Sequence, residues 1–265
     1  RRARRRLRRH PVTAVTSRSS ETRRPSIFWP LAALVIPPVS LIAKIRVSGA
    51  EKLPQQGSFV LAPNHYSEFD PLIVAVAVWR AGRAPRFMAK ESLFKVPVLG
   101  WFLRRTGMIP VARTSSAASA RQTMKQSEEL VEHGRGVIVY PEGTLTRDPD
   151  LWPMRGKSGA VRLALADGIP LIPMAQWGTQ AIMGRYQKGL SLWPLRKPVR
   201  VLIGDPVDVS DLRDRAGEPA ALAEASNRLM NAITGLLEEL RDEKAPAERW
   251  NPASHGQKET GRLDS

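Results

Sequence analysis

The chain of 265 residues is long enough for one substantial domain, and its apolar (42%) and charged (25%) fractions are ordinary for a globular protein. It contains no cysteine, which excludes disulfides, thiolate zinc sites and a cysteine nucleophile. The formal net charge of +16 is unusual for this length, and it is unevenly distributed, since residues 1–25 hold ten Arg and one Glu.

Residues 1–25 form a basic tail with too little apolar content to pack, so we predict that the tail is disordered. Clustered basic residues bind either nucleic acid or anionic lipid, and the apolar segment that follows the tail favours lipid. A solvated leader without a partner is the alternative interpretation. We therefore expect a membrane lipid surface as partner, and no nucleic acid.

Residues 27–43 are a run of 17 residues without charge, just short of the ~20 residues that a spanning helix needs. The proline pair at 37–38 is predicted to break any helix there. We interpret residues 26–46 as a re-entrant or interfacial membrane anchor with Phe28 and Trp29 at headgroup depth. A short, kinked spanning helix and a core helix of the soluble domain are the alternatives.

From residue 47 onward, short β-rich runs alternate with amphipathic helical segments. Strands are predicted at 58–62, 86–89, 108–111, 137–140, 169–174 and 199–203, and helices at 72–79, 115–133, 157–166 and after residue 206. This alternation predicts an α/β domain at 47–244 with a mixed, largely parallel sheet flanked by helices. Residues 245–265 are polar and are predicted to be a frayed C-terminal tail.

His65 lies where a buried strand gives way to a helix, which is the edge of an α/β sheet at which ligands bind. Asp70 follows five residues later, and within a regular helix the two side chains would point about 140° apart. Asp70 and Pro71, however, are a strong N-cap and first helical residue. His65 then lies in the preceding loop, where the carboxylate can reach and orient its ring, as in a serine hydrolase triad. Alternatively, Asp70 only caps the helix.

Four ordered sequence blocks give residues 47–205 a specific resemblance. The chain resembles the glycerolipid acyltransferases of the bacterial 1-acylglycerol-3-phosphate acyltransferase type. The blocks that carry the resemblance are residues 64–70 (NHYSEFD), 107–113 (GMIPVAR), 140–144 (YPEGT) and 169–173 (IPLIP).

The resemblance implies a reaction and its base. His65 would take the proton of an acceptor hydroxyl as that oxygen attacks the thioester of an acyl-CoA or acyl-carrier-protein donor, with Asp70 orienting the ring. Imidazole suits this role because it generally titrates near neutral pH. The acceptor would be 1-acylglycerol 3-phosphate and the product phosphatidate, made at the cytoplasmic face of the cell membrane. Beyond the acyl donor as co-substrate, no cofactor and no metal is expected.

The resemblance also implies a set of substrate-binding residues. Asn64 stands beside the base, and Arg113 would hold the acceptor phosphate with the paired donors of its guanidinium. Glu142, Gly143 and Thr144 would shape the acceptor loop. A solvated charge at a strand end is the alternative for Arg113, and a salt-bridged structural acid is the alternative for Glu142.

One departure from the family pattern concerns the acceptor phosphate. The third block of the family usually continues with Arg, and this chain has Leu145 there. Either Arg147 or Lys157 supplies the missing cation, or the acceptor is glycerol 3-phosphate, a glycolipid or another lysophospholipid. A non-catalytic, basic membrane- or nucleic-acid-binding protein would explain the tail but not residues 64–70. A hydrolase is disfavoured because no Gly-x-Ser-x-Gly elbow occurs.

Overall fold

The computed structural model of the chain describes residue 22, residues 26–111 and residues 117–258. The helices within these ranges are α1 (Phe28–Ile42), α2 (Asp70–Arg80), α3 (Pro97–Arg105), α4 (Ala117–Glu132), α5 (Gly159–Ala166) and α6 (Pro219–Arg241). The strands are β1 (Ala43–Ser48), β2 (Phe59–Pro63), β3 (Met88–Lys90), β4 (Ile109–Val111), β5 (Gly136–Ile138), β6 (Leu171–Trp177) and β7 (Lys197–Ile203). The disorder predicted for the basic tail falls outside the described residues, apart from Thr22.

Five strands form the main sheet in the order β1-β7-β6-β2-β5. The pairs β1–β7, β2–β6 and β2–β5 are parallel, and only β6–β7 is antiparallel. Strands β3 and β4 form a parallel pair beside it, which a bridge between Phe87 and Ile138 joins to β5. The predicted α/β domain with a mixed, largely parallel sheet is confirmed.

Strand β2 runs through the middle of the core and is apolar on both faces. Successive residues of a strand point to opposite faces, so Val60 and Ala62 pack into one cluster with α5 and α6, while Phe59 and Leu61 pack into another with α1 and α2. Because helices cover both faces, the loop that leaves the carboxyl end of β2 starts from a rigid, buried position. That loop carries His65.

Helix α1 contradicts the prediction that the proline pair breaks the helix, because it runs through Pro37 and Pro38 without interruption. Proline removes a backbone donor and disfavours a helix interior, but packing offsets this cost. The rings of Trp29 and Trp79 meet edge to face with centroids 5.9 Å apart, and Val39 is buried in the core. Tertiary contacts therefore override the local preference.

The two faces of α1 differ in exposure. Phe28 is only 6% exposed and lies under the guanidinium of Arg86 at 5.1 Å, so its predicted place at headgroup depth is wrong. Trp29 and Leu34 remain exposed, the latter by 72%. No helix within the described ranges is long and apolar enough to cross a bilayer. The membrane anchor at 26–46 stays a prediction.

Both ends of the predicted domain differ in detail from the sequence interpretation. Strand β1 begins at Ala43, so the sheet starts within the range interpreted as anchor. The predicted fraying after residue 245 is wrong for the described part of that segment: the Trp250 carbonyl accepts a hydrogen bond from the Arg155 amide at 2.9 Å, and the Trp250 ring stacks on His255. Aromatic packing and backbone pairing hold this polar segment on the domain.

Candidate active site

His65 and Asp70 meet across the corner between β2 and α2. His65 Nδ1 lies 3.0 Å from Asp70 Oδ2, which confirms the predicted contact. The capping role is wrong, however: α2 begins at Asp70 itself, Phe69 occupies the N-cap position, and no side chain caps the helix. The carboxylate instead turns back toward the loop that carries His65.

Asp70 is fully buried, and every contact of its carboxylate is with a donor. Oδ2 accepts hydrogen bonds from the amides of Tyr66 at 2.7 Å and Ser67 at 2.8 Å, and Oδ1 accepts one from Thr179 Oγ1 at 2.6 Å. A buried carboxylate needs such partners to remain charged. Facing this acceptor, His65 Nδ1 must carry the proton, which leaves Nε2 as the nitrogen that can meet a substrate.

The plane of the His65 ring is fixed by stacking. The ring lies on Tyr140 with centroids 4.0 Å apart and an interplanar angle of 24°, and Phe87 stacks on the same Tyr140 at 6.3 Å. Burial raises the pKa of Tyr140 well above its usual value, so the phenol stays neutral. The side chain of His65 is 16% exposed, so an edge of the ring remains within reach.

Thr179 and Tyr140 hold the pair in place, and sequence reasoning gave neither of them a role. Thr179 opens the 3-10 helix that follows β6. Because β6 is parallel to β2, its carboxyl end lies at the same edge of the sheet as the His65 loop. The predicted strand stopped at residue 174, three residues short of the observed end. Extending the predicted strand to residue 177 would have placed the residues after β6 beside His65.

Asn64 forms two hydrogen bonds with the backbone of the neighbouring strand β6. Its Nδ2 donates to the Gln176 carbonyl at 3.2 Å, and its Oδ1 accepts from the Gln176 amide at 2.9 Å. Asn64 is 1% exposed, and both ends of its amide are used on β6. These contacts position the loop, and the predicted substrate-binding role of Asn64 stays a prediction.

Glu142 is a second fully buried carboxylate, and it braces the backbone of the same loop. Oε1 accepts from the His65 amide at 2.9 Å and Oε2 from the Met154 amide at 3.0 Å. Burial raises the pKa of Glu142 to about 8, although these two N–H donors oppose the shift. Both of these hydrogen bonds come from backbone amides. The predicted role of Glu142 in the acceptor loop stays a prediction.

A cavity of about 510 Å³ borders Glu142, between residues 154–158 and the N-terminal parts of α5 and α6. Its volume is that of an ordinary small-ligand site. The basic residues on its lining are Arg155, Lys157 and Arg162, and Glu142 is the acidic one. The lining therefore carries more basic than acidic side chains.

Lys157 links this cavity to the third sequence block. Gly143 has a φ of +69°, which favours glycine, and a Cβ placed there would meet Lys157 Cδ at 3.1 Å. Thr144 follows, half-buried. Arg147 is 1% exposed and is not part of the cavity lining. Arg113 lies outside the described residues.

Leu145, which replaces the usual Arg, is buried at 5% exposure and packs as an apolar residue. Metal binding has no candidate in the described parts of the chain, where no group of three or more His, Asp or Glu side chains could hold an ion.

The fold and the site together define an α/β protein with a His–Asp pair at the carboxyl edge of its sheet and a cavity lined by cations beside it. The chain belongs to the Acyltransferase family, whose model matches residues 44–177. That range contains the His65 loop, Asp70 and Glu142.

Curated relatives agree with this membership. A chloroplastic 1-acyl-sn-glycerol-3-phosphate acyltransferase of Brassica napus is 31% identical over 165 residues, which cover 62% of this chain and 45% of that protein. The 1-acyl-sn-glycerol-3-phosphate acyltransferase of Bacillus subtilis is 28% identical over 204 residues, 76% of this chain and 94% of that protein. The chain thus spans less than half of the plant relative and nearly all of the bacterial one.

The fold also matches a solved structure, the 1-acyl-sn-glycerophosphate (LPA) acyltransferase PlsC of Thermotoga maritima. The TM-score is 0.53 at 21% identity, covering 85% of this chain and 88% of that one. At this identity the likeness supports the architecture alone.

Glu142→Gln tests the electrostatics of the braced loop. The folded state holds the Glu142 proton up to about pH 8, whereas the unfolded chain releases it near the ordinary pKa of 4.5. This contribution to stability is fully present below pH 4.5 and is lost as pH rises to about 8. We expect the free energy of unfolding of the wild type to fall by on the order of 4 kcal/mol more than that of the variant over this range.

Urea unfolding of both proteins across that pH range measures the difference, and Glu239→Gln, at an exposed position of α6, is the matched control. Parallel curves for the wild type and Glu142→Gln would mean that Glu142 is ionised in the folded protein at neutral pH.

Proposed function

We propose that this protein transfers a fatty acyl group from an acyl thioester, acyl-CoA or acyl-carrier protein, to the free hydroxyl of 1-acylglycerol 3-phosphate, giving phosphatidate. The observation that carries the proposal is the contact of His65 with the buried, fully hydrogen-bonded Asp70. The names of the relatives support the choice of acceptor.

In the proposed reaction, His65 Nε2 takes the proton of the acceptor hydroxyl while that oxygen attacks the thioester carbonyl. The C–S bond then breaks, and the departing thiolate takes the proton back from the imidazolium. Asp70 stabilises the imidazolium between these two transfers. A thioester is already activated, so positioning and base catalysis are enough and no acyl-enzyme is needed. No cofactor beyond the donor takes part.

The cavity beside Glu142 is the proposed site of the acceptor phosphate. Lys157 and Arg162 line it together with Arg155, and Arg162 Nε is held by Ser158 Oγ at 3.1 Å. The N-terminus of α5 opens onto the same space and favours an anion. Arg113 remains a further candidate from the sequence, and Gly143 and Thr144 shape the acceptor loop. Because the interior position of Arg147 keeps it off this lining, Lys157 is the better substitute for the missing family arginine.

A different acceptor is the second candidate. The apolar, buried Leu145 occupies the position of a family cation, which favours glycerol 3-phosphate, a glycolipid or another lysophospholipid with the same chemistry. In either case the acceptor or product is an amphiphile. The proposed partners therefore include a membrane lipid surface at the cytoplasmic face, contacted through residues 26–46 and the basic tail.

His65→Ala tests the base. We expect kcat for transfer from an acyl-CoA to 1-acylglycerol 3-phosphate to fall by about 10²–10⁴-fold, the usual contribution of a general base. The loop should survive, since its bonds to Glu142 and Thr146 use the backbone of His65. His133→Ala, which removes a partly exposed histidine after α4, is the matched control. Substantial transfer by the folded His65→Ala protein would end the proposal.

Lys157→Ala tests the phosphate site. The KM for phosphorylated acceptors should rise about tenfold, because a charged hydrogen bond is lost, while kcat and the KM for acyl-CoA stay near wild type. A panel that pairs phosphorylated with unphosphorylated acceptors gives the measurement, and Lys244→Ala, an exposed lysine, is the control. An equal effect on both acceptor classes would remove the phosphate from this cavity.

A further inference from the structure

Residues 190–195, the Trp193 loop, lie between β6 and β7 and expose an unusual amount of apolar surface. Leu192 is 51% exposed and Trp193 83%, with Leu190 and Leu195 at 43% each. Single exposed apolar residues are common on soluble proteins, but a contiguous group of this kind marks a binding surface. The proposed catalytic and phosphate sites use none of these side chains.

The backbone of the Trp193 loop is held from inside the protein. Lys197 is 7% exposed, and its Nζ donates to the carbonyls of Ser191 and Trp193, both at 2.8 Å, and to Ser191 Oγ at 3.1 Å. The Ser191 amide in turn donates to the Ile182 carbonyl at 2.7 Å. Main-chain polar groups satisfied in this way suit an apolar environment. Hydrogen bonds from inside the protein therefore fix the backbone of the loop, while its leucine and tryptophan side chains point outward.

The loop is continuous with the exposed face of α1. The Arg196 amide, directly after the loop, donates to the carbonyl of Leu41 at 3.0 Å. Leu41 is itself 56% exposed and lies near the end of α1. The Trp193 loop therefore meets the C-terminal end of α1 beside the edge strand β1 and its neighbour β7.

The chain segment that carries the loop is basic and lacks acids. Between Asp167 and Asp205 the sequence contains no carboxylate. Exposed cations form a basic stripe, defined as Lys44 and Arg46 of β1, Arg196, and Arg200 of β7. Arg46 and Arg200 are register partners in the parallel pair. A row of exposed cations is complementary to an anionic lipid surface. A protein partner would need a matching acidic surface.

We propose that the Trp193 loop and the basic stripe are a second bilayer contact, separate from the N-terminal segment, with the loop inserted at the headgroup level of an anionic membrane. Tryptophan favours this interfacial depth, and the stripe lies against the lipid phosphates. The inference rests on the proposed function only because the acceptor of the proposed reaction is a membrane lipid. In this orientation the edge strand β1 and its neighbour β7 face the bilayer.

Vesicle flotation of the full chain without substrates tests the inference. We compare phosphatidylcholine vesicles with vesicles that also contain phosphatidylglycerol. Leu192→Ser/Trp193→Ser should lower the partition coefficient about tenfold or more on both, because two apolar side chains no longer leave water. The bonds to Lys197 use the main chain and Ser191, so the loop keeps its support. Val131→Ser removes an aliphatic side chain of similar exposure, 49% on α4, and is the matched control.

Arg46→Gln/Arg200→Gln tests the stripe. This variant should lose part of the preference for phosphatidylglycerol, and the loss should shrink at high salt as exposed charges are screened. Wild-type flotation of the loop variant would overturn the inference. So would unchanged flotation together with a loss of self-association, which would assign the loop to a second copy of the chain.

Failure of the inference and failure of the proposed function are distinguishable. A protein that floats in a loop-dependent manner but transfers no acyl group would overturn the function and leave the membrane contact. Normal transfer to a short-chain, monomeric acceptor, combined with flotation that does not depend on the loop, would overturn the membrane contact and leave the proposed function.

Discussion

The buried carboxylate of Asp70 is the constraint on which the site depends. It collects donors from the His65 ring, from the loop amides of Tyr66 and Ser67, and from Thr179 across the sheet. A buried charge that loses a donor costs at least about 1–3 kcal/mol, so these groups hold one another in place. The shape of the loop and the orientation of the His65 ring thus both follow from the need of the buried Asp70 carboxylate for hydrogen-bond donors.

The sheet brings the members of this network together from distant parts of the chain. Strands β2 and β6 are parallel neighbours, so the residues that follow them share an edge. Two buried carboxylates then brace the His65 loop in different ways. Asp70 accepts from side chains as well as from backbone amides. Glu142 bonds to the backbone amides of His65 and Met154, and burial raises its pKa to about 8. Because Glu142 also borders the cationic cavity, one residue connects the base to the proposed phosphate site.

Much of the fold could be predicted from the sequence, because buried apolar runs and amphipathic helices alternate clearly after residue 47. The contact between His65 and Asp70 was also predictable, although the carboxylate turns toward the loop and leaves the helix uncapped. Thr179 was not predictable from spacing, since it lies far along the chain and reaches Asp70 only through strand pairing. The proline pair in α1 misled the prediction because packing against α2 outweighs a local preference. The cavity depends on α6 and the C-terminal segment, which no motif brings together.

We propose that Asp70 fixes the proton of His65 on Nδ1 and leaves Nε2 free to act as the base. The most direct test is the ¹⁵N NMR spectrum of the imidazole rings at alkaline pH, where uncharged imidazole shows which nitrogen is protonated. The chain has four histidines, so the spectrum of His65→Gln assigns the signal. We expect a protonated Nδ1 and an unprotonated Nε2 for His65. A proton on Nε2 would contradict it, because that tautomer could neither donate to Asp70 nor accept the proton of an acceptor hydroxyl.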